Sequence, residues 1–333
     1  MGKVIESRRQ FSDERFQLLR DSLGKAEDIC GDKACVYATG SFGRREASPH
    51  SDIDLFIVSL SDANKEDRIE RSRLSKLDEI LLKAELIRAS QSLGFPPFSK
   101  DGRFLELHTA KKLIQSTGNQ YDDAENTFTA RLLLLLESKP VVGTGVHAGV
   151  IDDVIARYWR EFADHYDRFM PTFLANDILR YWRTLCLNYE ASTSEETQRD
   201  RAKRKVKNYK LKHSRMLTCY SAVLHLLFTY GRNGTVTPPD AQQMVSMTPT
   251  ARIEFVANEL SGAEPAACLH DLLGKYERFL DVTSASEDDL IKLFSDDAEA
   301  HKLRDEQSKF GDLAYSILYS VGHENSLYRR LVI

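Results

Sequence analysis

Apolar residues recur along this chain with two periods, and the change between them divides it. Phe16, Leu19, Leu23 and Ala26 fall at helical steps and predict a leading helix over residues 11–29, with Ser12 as its N-cap. Residues 34–38 form an unbroken apolar run and predict a buried strand. Gly40-Ser41 breaks it, residues 42–47 can make one helical turn, and Ser48-Pro49-His50-Ser51 turns the chain back. The next strand, Asp52-Ile53-Asp54-Leu55-Phe56-Ile57-Val58, is polar at its start and wholly apolar at its end. Residues 62–93 read as one long amphipathic helix with a charged first half, ended by Gly94-Phe95-Pro96-Pro97. A third strand is predicted at 103–108. A helix over 127–137, apolar all round, is capped by Asn126 or Thr127 and stopped by Pro140. From about Gly149 the pattern is helical throughout, with segments at 151–169, 178–191, 216–230, 251–260, 266–284 and 287–319. The last breaks near Asp296-Asp297, and residues 235–240, with two prolines, read as a loop.

These elements predict two domains. Residues 1–145 make a small mixed sheet with helices on one side, an α/β domain, and residues 146–333 make an all-α helical bundle. The length of 333 residues gives each part enough chain for its own core. Composition narrows the chemistry. The apolar share of 42% is that of a globular protein, and the net charge of −4 gives no global pull towards nucleic acid. Five cysteines are scattered without CxxC or Cys/His ligand spacing, which argues against a disulfide framework or a zinc site. No apolar run approaches a bilayer span and the N-terminus lacks a signal core, so a soluble cytoplasmic protein with no membrane partner is the expectation.

The chemistry lies between residues 40 and 54. Alternation along a strand sends Asp52 and Asp54 to one face, and two carboxylates on one side suit a divalent cation held by oxygen, Mg²⁺ or Mn²⁺. Gly40 lets the backbone approach a phosphate, and Ser41 offers a hydroxyl and an amide. A phosphate-holding turn facing a metal-holding pair equips a site for phosphoryl or nucleotidyl transfer.

Gly40-Ser41, ten residues and then Asp52-x-Asp54 resembles the signature of the nucleotidyltransferases related to DNA polymerase beta. The fuller string, Gly40-Ser41-Phe42-Gly43-Arg44-Arg45-Glu46 and Ser48-Pro49-His50-Ser51-Asp52-Ile53-Asp54-Leu55, is most similar to the bacterial nitrogen-control uridylyl- and adenylyltransferases. The segment around 127–143 also resembles theirs, where a helix leads into E-S-x-P-h-x-G. The resemblance implies a polymerase-beta-like fold, an NTP substrate and a third carboxylate from a neighbouring strand. Glu106, between Leu105 and Leu107, is the candidate, with Asp101 in reserve, although the family more commonly has an aspartate there. Asp52, Asp54 and Glu106 would hold Mg²⁺, Gly40-Ser41 would grip the triphosphate, and Arg44 or Arg45 would touch the phosphates. The nitrogen-control enzymes carry extra hydrolase and regulatory domains for which this chain has no room.

Two helical features bear on binding. Arg180, Tyr181, Trp182 and Arg183 could clamp a base, but the same stripe reads more simply as core with a charged rim. Between Arg199 and Arg215 the chain is strongly basic, with Asp200 the single acid. That run could hold the triphosphate, seat an RNA, or be a solvated helix balanced by acids elsewhere. Lys210 and Lys212, which run into apolar Met216-Leu217, are the triphosphate candidates. The expected activity is transfer of an NMP from an NTP to an acceptor hydroxyl on a protein, RNA or second nucleotide. The alternative is a catalytically silent nucleotide-binding subunit with a protein partner.

Overall fold

The computed structural model describes residues 2–62, 71–98, 105–191 and 197–332 of the chain. Contacts divide these into two compact units, Glu6–Arg157 and a helical unit from Tyr158 onwards that includes the first residues of the chain. The small mixed sheet followed by helices is the architecture expected from the hydrophobic pattern.

The first unit is built on β1 (Ala34–Thr39) and β2 (Asp54–Ser59), which pair antiparallel from Ala34↔Ser59 to Thr39↔Asp54. β6 (Lys139–Val142) adds to the free side of β1, antiparallel and with an irregularity at Val36/Tyr37. β5 (Leu107–Thr109) adds to β2 in parallel, giving the order β5-β2-β1-β6. A two-stranded ribbon, β3 (Ser61–Asp62) with β4 (Arg71–Ser72), stands apart from this sheet.

All six residues of β1 are buried. A strand buried on both faces needs cover on both. On one face Val36, Ala38, Leu55 and Ile57 join Phe16 and Leu19 of α1 (Lys3–Asp21), Ala26 of α2 (Gly24–Cys30) and Leu82, Leu86 and Ala89 of a later helix, Lys76–Ser92. On the other face Tyr37 stacks on Phe56 at 5.6 Å, and Phe56 on His108 of β5 at 6.1 Å. Tyr37 also meets the His147 ring of a later helix, Thr144–Tyr158, at 5.5 Å, so helices lie on both faces of the sheet, where the sequence suggested one.

Several boundaries moved for local reasons. α1 starts before Ser12, whose hydroxyl accepts from Ala47 N–H at 2.9 Å and does not cap the helix. Gly40 does not merely break the chain; it opens α3 (Gly40–Gly43), a single turn. The helix expected over 62–93 shrinks to α4 (Lys76–Ser92), because Ser75 caps it by accepting from Asp78 N–H and β4 precedes it. Most of the charged run expected in its first half lies outside the described residues. Three short helices follow: α5 (Ala110–Gln115), α6 (Tyr121–Ala124) and α7 (Thr127–Glu137), then α8 (Thr144–Tyr158). α7 is buried along almost its whole length, as its all-round apolar character demands.

The helical unit contains α9 (Thr172–Ala191), α10 (Gln198–Lys210), α11 (Met216–Asn233), α12 (Pro238–Ser246), α13 (Pro249–Glu259), α14 (Glu264–Val282), α15 (Glu287–Ser295), α16 (Asp297–Gly322) and α17 (Ser326–Val332). The two prolines expected in a loop instead start α12, behind a Thr237–Asp240 capping box. The break near Asp296 is where the sequence placed it: its carboxylate caps α16 by accepting from Ala298 and Glu299 N–H. A π-helical turn, Leu211–Arg215, joins α10 to α11 without a loop. It buries His213, whose ring stacks on Phe279 at 4.7 Å and Phe310 at 4.8 Å. Tyr181 and Trp182 are buried, so the aromatic stripe of α9 is core.

Candidate active site

The end of β1 and the start of β2 meet at the Thr39↔Asp54 pair, which brings Gly40 beside Asp54. Gly40 has φ +66°, and a Cβ there would lie 2.8 Å from Asp54 Oδ2. Glycine is required twice over, by the left-handed backbone and by the carboxylate pressed against it. Asp54 opens β2 and is half-buried. Asp52 is half-buried too, but stands two residues before the strand, in the loop that follows the Ser48–Ser51 turn. Its position comes from that turn, in which Ser51 N–H donates to Ser48 O at 3.0 Å, and not from the pleat. Ile53 between the two aspartates is 2% exposed and anchors both in the core.

Behind the turn lies a buried ionic network that the sequence reading missed. Glu137, at the end of α7, accepts Gly40 N–H at 3.0 Å through Oε1 and Arg44 Nη1 at 2.9 Å through Oε2. Arg44 Nε also donates to Glu46 Oε2 at 2.8 Å. Gly43 lies against the Glu137 backbone, where a Cβ would come within 1.9 Å of its carbonyl oxygen. Arg44 is thus buried among carboxylates of its own fold. Arg45, at φ +59°, is held by Asp13, which also accepts from Lys139 Nζ at 2.7 Å. Burial alone would raise the Asp13 carboxyl, but the hydrogen bonds from Arg45 and Lys139 outweigh it and hold the pKa below its usual value. The sequence showed its members only as parts of two motif strings, with Arg44 or Arg45 expected on the phosphates and not on carboxylates.

Glu106 is exposed and stands one residue before β5. The parallel register Val58↔His108 and the stacking of His108 on Phe56 place His108 on the Asp54 face of the sheet. Glu106 also lines a cleft of about 670 Å³ with Lys83, Ser90, Gln91 and Phe95. Burial depresses the pKa of His108, against an opposing pull from Glu106. Asp101, the reserve carboxylate, lies outside the described residues. Among the described residues no group of three or more His, Cys, Asp and Glu side chains comes together to hold a metal ion. The Asp52–Asp54 donor set is nevertheless oxygen-only. It suits an ion that takes one or two carboxylates and completes its shell from phosphate oxygens and water.

Asp122 is fully buried against the equally buried Arg131. Ser116 and Thr127 hydroxyls also donate to it, at 3.1 and 2.9 Å. Burial pushes the Asp122 pKa up, but the hydrogen bonds and charge of Arg131 outweigh it and hold the carboxyl below its usual range.

Lys210 and Lys212 belong to the helical unit; Lys210 is exposed and the Lys212 ammonium lies 5.2 Å over the Trp182 ring. Part of the basic run is balanced by acids of α15 and α16: Arg199 pairs with Asp288 at 2.7 Å, Lys203 with Glu287 at 3.3 Å and Lys205 with Asp297 at 3.2 Å.

Among the described residues no helix is long and apolar enough to cross a membrane. No curated protein matches the chain. The stretch that supplies α2, β1, the Gly40 turn, both aspartates, β2 and α4 falls within residues 19–100, and those residues match the nucleotidyltransferase domain family.

Proposed function

We propose that the protein is a metal-dependent nucleotidyltransferase that moves an NMP from an NTP to an acceptor hydroxyl with release of pyrophosphate. The observation that carries this reading is Asp54 held against the Cα of Gly40, with Asp52 two residues before it. Asp52 and Asp54 would hold a Mg²⁺ or Mn²⁺ ion, with Glu106 as the proposed third carboxylate. When bound, such an ion neutralises triphosphate charge and makes the acceptor hydroxyl easier to ionise.

The remaining work falls to the chain itself. Because Gly40 N–H is donated to Glu137, the phosphate grip rests on the Ser41 hydroxyl and amide and not on Gly40. Arg44 and Arg45 support the turn through their carboxylate partners and take no phosphate in this reading. The acceptor class is a protein, an RNA or a second nucleotide.

The test incubates the pure protein with Mg²⁺ or Mn²⁺ and each labelled NTP, alone, with total RNA and with cell lysate. The wild type should label one acceptor class and release pyrophosphate. Asp52→Ala/Asp54→Ala should lose about 10,000-fold in rate, roughly 5.4 kcal/mol of barrier. Equal behaviour of the two proteins, with no pyrophosphate from either, would sink the catalytic reading. Metal-dependent NTP binding without turnover would point to a nucleotide-binding regulatory subunit instead.

A further inference from the structure

Three contacts run in series from Arg44 through the end of α7 to the proposed metal ligand. Arg44 Nη1 donates to Glu137 Oε2, and Glu137 Oε1 accepts Gly40 N–H. Gly40 holds φ +66°, and the face of its Cα is filled by Asp54 Oδ2. Glu137 is 3% exposed and Arg44 6%, so neither is placed to meet substrate from solvent. A carboxylate that far inside a fold is held there by its partners, and its partners are the motif itself.

We propose that Glu137, supported by Arg44, is a positioning residue for nucleotidyl transfer. By fixing the Gly40 amide it sets the backbone surface against which the Asp54 carboxylate is oriented. The inference rests on the reading of Asp54 as a metal ligand. It also explains why a glycine, an arginine four residues later and a glutamate almost a hundred residues on act as one unit. A buried amide that loses its acceptor must find another or move, and because Gly40 lies against Asp54 a shift there changes what that carboxylate rests on.

A purely structural role predicts lost stability and nothing more, so the test separates the two. In an Arg44→Met background, Glu137→Gln keeps an acceptor for Gly40 N–H, while Glu137→Met removes it at nearly the same volume. Positioning predicts that the Gln form turns over at least about tenfold faster than the Met form, with KM for the NTP within about threefold and similar melting temperatures. Amide exchange at Gly40 should be faster in the Met form, and Mn²⁺ alone, followed by titration calorimetry, should bind it about tenfold more weakly. Equal kcat and equal Gly40 exchange in the two forms would overturn the proposal. If wild type transfers no nucleotide, the proposed function has failed, and Gly40 exchange with Mn²⁺ affinity still judges the positioning. Should the Met form not fold, wild-type exchange decides: a Gly40 amide that exchanges as fast as an exposed loop amide contradicts the contact.

Discussion

In the unit built on the sheet, Arg44, Arg131, Asp122 and Glu137 are buried and each meets its partner through directed hydrogen bonds. In the helical unit the pairs of the basic run, Arg199–Asp288, Lys203–Glu287 and Lys205–Asp297, join side chains that are 31–97% exposed. The same chemistry does different work in the two places. A buried pair has lost its water and depends on geometry, so its value lies in fixing where backbone and side chains go. An exposed pair is screened and contributes little, so the helical unit leans on its apolar and aromatic contacts. Among these pairs, charge specifies shape where it is buried and dresses the surface where it is exposed.

The sharpest attack on that contrast is Arg131→Met, which strands Asp122 without its cation. It should cost about 3–5 kcal/mol in urea unfolding. A loss below about 1 kcal/mol would place the buried pair in the same class as the exposed ones.

Acid tests both units together. Burial depresses His147 in the first unit and His213 and His225 in the second to about 4. Below the ordinary value of 6.5 the unfolded chain binds protons that these folded imidazoles refuse. Their contribution is therefore complete above about pH 6.5 and is lost as pH falls towards about 4, at up to roughly 3 kcal/mol for each histidine. Thermal melts at pH 7, 6 and 5 should show the decline. His213→Phe, which keeps a ring between Phe279 and Phe310, should flatten it by one histidine's share. An unchanged pH slope in that variant would show that His213 takes no part.

The mildest test is Arg199→Ala with Lys203→Ala. It should change stability by less than about 1 kcal/mol, with any effect vanishing in high salt. A large, salt-insensitive loss would erase the contrast from the other side.

The hydrophobic pattern revealed much of this fold because its information is local. Residues 34–38 and 55–58 are apolar for longer than any exposed strand tolerates, and the wholly helical character beyond Gly149 follows from spacing alone. The Gly40 turn and the Asp52–Asp54 spacing were legible for the same reason. β6 and the Glu137 contacts were not, because they pair residues about a hundred positions apart and leave no period. Asp122 was hidden by its neighbours: a run reading Asp-Asp-x-Glu looks solvated, and only the tertiary approach of Arg131 tells one acid from the next. Ser12 and Pro238-Pro239 were misread by rules of local punctuation that hold on average. The serine's partner was a distant amide, and the prolines began a helix instead of lying in a loop.

The π-helical turn at Leu211–Arg215 has a bearing on descent. A π turn is an α-helix with one residue added, and the addition turns all that follows by about 100° about the axis. α10 and α11 thus form one rod whose apolar faces are out of phase on either side of the turn. The natural unit of change at this point is a single codon. A relative without the insertion would show a one-residue gap in mid-helix, and its apolar positions downstream would have to be reassigned by a quarter turn or more.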